Sequence, residues 1–380
     1  MDGNRRRWAM AVLLLLILFT GALLILVSWN GSQTFLAAPT KTPEPIVPTR
    51  TPLPGSESPS PRQDATAPAV TEATAPAAAS PTSPAPAAAV ETTAVASAAP
   101  SLVTSELDRF GVTIARTYSD AEAAHAAGLP FGSILNWNVN ETPPAVPAEY
   151  WQMVRLDQQG IRKVNWDELD KSIAANPASF WLVGNEQDVL WQDNVTPERY
   201  AEIYHDVYTF IKDRDPGAKV VIGGVSQPTP LRRAYLDIVL NTYESTYGEV
   251  MPIDVWNVHA FTLREEAGSW GVGIPPGMEG EEGILYEIED HDDVDIIAQN
   301  LLDFRRWMVE RGYGDKPLVI SEYGILMPED YGFPPERVAS FMEATFDLFR
   351  EMDGEEGYAP DENRLVQWWF WYSVFDGELY

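Results

Sequence analysis

Eight short apolar runs recur between residues 110 and 371, and helical segments fill several of the gaps between them. The runs cover 110–116, 130–137, 151–156, 180–183, 219–224, 253–259, 318–320 and 366–371. Each is near-continuously apolar and strand-sized, the pattern of a parallel strand buried on both faces. Strands alternating with helices specify an α/β architecture, and eight is the number a closed (β/α)₈ TIM barrel needs. The helices are legible between the later strands. Thr196 is an N-cap followed by Pro197 at the first helical position. Tyr200, Ile203, Tyr204, Val207, Phe210 and Ile211 then recur at helical spacing, and Asp215-Pro216-Gly217 ends the unit. A second helix is predicted over 296–311, with Ile297, Leu301, Phe304 and Met308 inward. The stretch between the second and third strands is too short for a full helix. After Trp371 too little sequence remains for an outer helix, so the barrel is expected to close without one or the chain to continue.

The segments before the barrel differ in composition. Arg5-Arg6-Arg7 precedes an apolar run over 8–29, and about 20 such residues span a bilayer. The expectation is a cytoplasmic basic segment over 1–7 and a transmembrane signal-anchor over 8–29, with everything after it outside. A secretory signal cleaved near Phe35-Leu36-Ala37-Ala38 is the other reading. Residues 30–104 are rich in Pro, Ala, Thr and Ser, a composition that buries too little apolar surface to fold. They read as a disordered stalk, leaving 105–380 as the folded domain.

The net charge is −30, and acidic and basic residues balance within 1–100, so the imbalance belongs to the folded domain. Such a surface excludes nucleic acid as a partner, because phosphates require Lys and Arg. With no cysteine, disulfides, thiolate zinc sites and Cys nucleophiles are absent. Four histidines without paired spacing give no zinc motif, and the acidic stretch 279–295 lacks the spacing of a calcium loop. No metal and no cofactor is expected.

Two glutamates stand where chemistry is placed in a barrel, at the C-terminal ends of strands. Glu186 follows the fourth run in Gly184-Asn185-Glu186, and Glu322 follows the seventh in Ser321-Glu322-Tyr323-Gly324. Paired carboxylates are the equipment for cleaving a glycosidic bond. A desolvated Glu has a raised pKa, which suits Glu186 as an acid near neutrality. Asn185 can hydrogen-bond a sugar 2-hydroxyl. Glu322 can attack the anomeric carbon if the carboxyls lie about 5–5.5 Å apart. Thirteen tryptophans suit a cleft in which sugar faces stack on rings. Trp137, Trp191, Trp256, Trp270 and Trp371 fall near strand ends or in loops, and Trp137 and Trp371 are the best placed of them. The long segment 262–292 is expected to wall the cleft.

The layout resembles clan A of the glycoside hydrolases, the retaining β-glycanases and β-glycosidases. That resemblance rests on Asn185-Glu186 after the fourth strand and Glu322 after the seventh. It implies Glu186 as acid/base and Glu322 as nucleophile. The clan often carries His or Tyr after the sixth strand, matched by His259, and a Trp after the eighth that floors a sugar subsite. Trp371 is the match there, with Trp369 second. An Arg near the nucleophile is also common, and Arg155 or Arg116 is positioned to serve. The clan's Asn-Glu-Pro is Asn185-Glu186-Gln187 here, a departure at a position that does no chemistry. The expectation is therefore a cell-surface or secreted retaining glycosidase acting on an extracellular oligo- or polysaccharide. The alternatives are a glycan-binding barrel without turnover, a cell-surface transglycosylase, and a surface scaffold.

Overall fold

The computed structural model describes residues 102–103, 105–115 and 117–374. The expected anchor over 8–29, nearly all of the expected stalk, and Arg116 lie outside the described residues. Among the described residues no helix is long and apolar enough to cross a membrane.

Eight parallel strands form the barrel: β1 (Phe110–Thr113), β2 (Ser133–Leu135), β3 (Glu149–Asp157), β5 (Phe180–Asn185), β6 (Lys219–Gly224), β7 (Trp256–His259), β8 (Leu318–Tyr323) and β10 (Trp368–Trp371). They pair in the order β6-β5-β3-β2-β1-β10-β8-β7. Parallel bridges at Val221–Val255 and Val225–Val258 join β6 to β7 and close the ring. Two strands lie outside it. Short β4 (Gly160–Arg162) folds back antiparallel on β3, and β9 (Asp353–Tyr358) bridges Arg364. No helix occupies the 136–148 connection between β2 and β3, as its length predicts.

Six helices are described: α1 (Tyr118–Ala126), α2 (Trp166–Ala175), α3 (Pro197–Arg214), α4 (Pro230–Tyr247), α5 (Val294–Glu310) and α6 (Pro335–Glu351). α3 starts where the Thr196–Pro197 signal puts it, and Tyr200, Ile203, Tyr204, Val207 and Ile211 are its buried face. α5 buries Ile297, Leu301, Phe304 and Met308. Asp215 ends α3 by accepting the backbone N–H groups of Ala178 and Gly217 at 2.6 and 2.9 Å.

Alternation along the strands divides the apolar residues into two cores. Inside the barrel, Trp151 stacks flat on Phe180 at 4.0 Å and meets the edges of Trp368 and Phe370 at 5.4 and 5.1 Å. Outside, rings such as Trp256 pack against Phe304 and Trp307 of α5. The interior is thus a filled core under the mouth. Gly111 belongs to it through what it lacks, because a Cβ there would run into the Phe370 ring. At the opposite end, buried Arg305 donates to the carbonyls of Lys316 and Leu365 and to Gln367 Oε1, and Arg109 pairs with Asp361 at 2.6 Å. These bonds tie the starts of β1, β8 and β10 together.

Gly111→Ala should destabilise the fold by about 1–3 kcal/mol through overpacking. Chemical denaturation of the variant against wild type reads this directly.

Candidate active site

Both glutamates reach the barrel mouth by a local break in regular strand geometry. On β8, Ile320 and Tyr323 face the outer core. Strict alternation would turn Glu322 outward with Ile320. Instead the pairing slips: Trp369 and Trp371 of β10 oppose Ile320 and Tyr323, and Val258 and His259 of β7 oppose Ile320 and Glu322. β8 therefore carries one extra residue, a β-bulge, and the bulge re-aims Glu322 into the mouth. Just past β5, Glu186 adopts φ 45°, the left-handed region that non-glycine residues seldom occupy. Its N–H still donates to Gly224 O at 2.9 Å, which holds the strained turn on the neighbouring strand.

His259 joins them. Its Nδ1 lies 3.0 Å from Glu186 Oε1, and its Nε2 lies 3.7 Å from Glu322 Oε1. The ring is fully buried and the two glutamates are 7% and 6% exposed. Gly224 makes room for the imidazole, since a Cβ there would stand 2.7 Å from the ring. Trp137 Nε1–H donates to Glu322 Oε1 at 2.6 Å. Its backbone is also left-handed, with φ 54°.

Burial pushes the Glu322 carboxyl up to about 7, with the Glu186 charge adding to it; His259, the Trp137 N–H and Arg155 pull it back. For His259, burial opposes the imidazolium, but Glu322 and Glu186 outweigh it and the pKa rises. The carboxyl raised toward neutrality is therefore Glu322, the residue expected to attack, whereas the sequence reading put the raised pKa on the acid.

Glu186, Glu322, His259 and Trp137 come together, but Trp137 in an unforeseen role: its N–H is committed to the second carboxylate. Asn185 stands beside them with a buried side-chain oxygen that has no hydrogen-bond partner among the described residues. Arg155 does not touch Glu322. It pairs with Asp193 at 2.7 Å and Gln192 at 3.0 Å, and only its charge reaches the carboxylate. Trp371 is a correction. Its ring packs outward on Tyr323 at 5.3 Å and Phe341 at 6.4 Å, so it floors no cleft. Trp369 is outward too, against Phe346 and Phe349. The next residue, Tyr372, meets Trp137 edge-on at 5.7 Å and takes the mouth position. A one-residue step along a strand changes faces, and strand-end motifs do not fix that step.

The segment after β7 is fastened firmly. Phe261, Leu263 and Val272 pack with Val189 from the loop after β5. Beneath them, fully buried Arg232 on α4 pairs with Asp188 at 3.0 Å and Glu265 at 2.8 Å and donates to the Gly273 carbonyl. His291 completes the fastening, its Nδ1 against Thr262 O and its Nε2 accepting from Leu326 N–H. No sequence motif marks these residues, because the partners come from three different loops.

Fold and site together define a (β/α)₈ barrel with two carboxylates and an imidazole at the C-terminal mouth. Among solved structures, the chain is similar to a GH128 (subgroup III) curdlan-specific exo-beta-1,3-glucanase from Blastomyces gilchristii, at 18% identity and a TM-score of 0.46, covering 71% of this chain and 92% of that one. It is also similar to GH128 endo-beta-1,3-glucanases from Amycolatopsis mediterranei (subgroup I; 16%, TM-score 0.46, 70% and 89%) and Pseudomonas viridiflava (subgroup II; 16%, 0.46, 71% and 88%). No family model and no curated protein matches the chain.

A carboxyl with a raised folded pKa stabilises the fold where it is protonated. That contribution is complete below about 4.5 and is lost as pH rises through about 7. His259, also raised, acts in the same sense from its ordinary 6.5 upward. Glu322→Gln should therefore melt above wild type at pH 8, with the gap closing toward pH 4. Thermal melts across that range check it.

Proposed function

We propose that this chain is a glycoside hydrolase that cleaves β-glycosidic bonds with retention of configuration. The observation that carries the reading is one buried imidazole facing both Glu186 and Glu322 at the mouth of the barrel.

In the first step Glu186 gives its proton to the leaving glycosidic oxygen while a Glu322 oxygen bonds to the anomeric carbon. The product is a glycosyl-enzyme ester and a free hydroxyl on the departing sugar. In the second step Glu186 takes a proton from water as that water attacks the same carbon. The sugar leaves with its original configuration and Glu322 is regenerated. His259 holds Glu186 in place through Nδ1, and its charge follows the two carboxylates. Trp137 orients the Glu322 oxygen it binds, leaving the other to attack. Asn185 has the unpartnered acceptor suited to a sugar hydroxyl near the reacting carbon. The substrate is an extracellular glycan if 8–29 anchors the chain with its arginines inside; loss of membrane association on deleting 8–29 tests that placement.

Glu186→Gln and Glu322→Gln should each lower kcat/KM by at least ~10³-fold, about 4 kcal/mol of transition-state stabilisation. The assay is release of reducing sugar from a panel of neutral polysaccharides and aryl β-glycosides. Near-wild-type turnover in either variant overturns the assignment, and the anomer first released, read by NMR, decides retention.

Because Glu322 attacks as a carboxylate, kcat/KM should fall as pH drops below about 7. Trp137→Phe removes a bond that favours the charged form, so its acid limb should lie at higher pH than in wild type. A pH–rate profile of the pair tests this.

A further inference from the structure

The loop that leaves Glu186 presents two adjacent apolar side chains to solvent: Leu190 is 66% exposed and Trp191 59%. Trp166, the other exposed tryptophan among the described residues, is only 39% exposed and lies over Phe210 at 4.7 Å. Trp191 makes no ring contact among the described residues.

The loop is not free to fold these side chains in. Val189 N–H donates to Glu186 O at 3.0 Å, Gln192 N–H to Val189 O at 3.1 Å, and Val195 N–H to Gln187 O at 2.9 Å. The fully buried Asp193 carboxylate pairs with Arg155 and Arg162 at 2.7 and 2.8 Å. It also accepts the backbone N–H groups of Leu156 and Asn185 at 3.0 and 2.8 Å. Gln192, next to Trp191, is held by Arg155. The chain is thus pinned on both sides of Leu190-Trp191, and the ordering cost that a binding surface usually meets on association is already met.

We propose that Leu190 and Trp191 form a fixed platform for a pyranose ring of a neutral polysaccharide, beyond the subsites where the carboxylates act. This rests on the glycosidase reading. Two observations choose the occupant. Leu190 and Trp191 lie in the loop at the C-terminal end of β5, four and five residues past Glu186, and so belong to the barrel face on which the carboxylates open. The net charge of −30 disfavours anionic polymers and anionic membranes, and an exposed indole offers a face on which the C–H face of an uncharged sugar stacks. A platform remote from the scissile bond makes the protein a polymer-cleaving enzyme, with Trp191 setting preference for long substrates over short ones.

The test compares full-length wild type, Trp191→Ala and Trp191→Phe in detergent. Substrates are a neutral β-glucan and an aryl β-glycoside of the same sugar. Trp191→Ala should lose about tenfold in kcat/KM on the polymer, mostly in KM, and stay within twofold on the aryl glycoside. Trp191→Phe should recover most of the loss. Equal losses on both substrates, or none on the polymer, overturn the proposal. If wild type cleaves neither, the glycosidase reading fails, and affinity gels cast with β-glucan decide the platform separately. Retardation of wild type that Trp191→Ala abolishes upholds it; unretarded wild type overturns it. Vesicle binding that depends on Trp191, without glucan binding, also overturns it.

Discussion

A buried imidazole stands between two buried carboxylates, and the rest of the mouth is arranged around that contact. Taking charges out of water is expensive unless they are paired and hydrogen-bonded. Here the cost appears as a Glu322 carboxyl lifted to about 7, while the two carboxylates raise the His259 pKa against the effect of its burial. A barrel mouth supplies the desolvation, and the filled aromatic interior beneath it keeps water from entering below.

Holding the cluster requires departures from regular backbone. Glu186 and Trp137 sit in the left-handed region and β8 carries a bulge at Glu322. Strain of this kind persists only where surroundings over-determine it. The surroundings here are buried ion pairs in adjacent loops. Asp193 gathers two arginines and two backbone N–H groups behind Glu186, and Arg232 joins Asp188 to Glu265 beneath the segment after β7. Both carboxylate oxygens of Asp193 and both carboxylates around Arg232 are hydrogen-bonded, which favours a rigidifying network over a costly one.

Sequence reading found the eight barrel strands and their order along the chain, and the caps of α3, because these follow from periodicity and local chemistry. It also placed Glu186, Glu322 and His259 at one mouth, where the structure brings them together, since each ends an apolar strand. It went astray where a residue's role depends on a neighbour distant in sequence. Arg155 is spent on Asp193. Trp137 serves a carboxylate on the far side of the barrel. Trp371 lies on the outer face and Tyr372 on the inner one, a difference of one residue. β4 and β9 were not foreseen either; β4 has only three residues, and β9 is Asp-Gly-Glu-Glu-Gly-Tyr, with almost no apolar content to mark it.

The sequence by itself determined the class of architecture and the identity of the carboxylates. Alternation of apolar strands and amphipathic helices admits few folds, and a barrel places strand ends at one mouth. Only the tertiary structure decided which side chains enter that mouth and which charges they carry. Side-chain direction at a strand end turns on a single bulge or a single left-handed residue. Proton affinity turns on burial and on charges brought in from other strands. Neither quantity is local to the chain, so neither can be read along it.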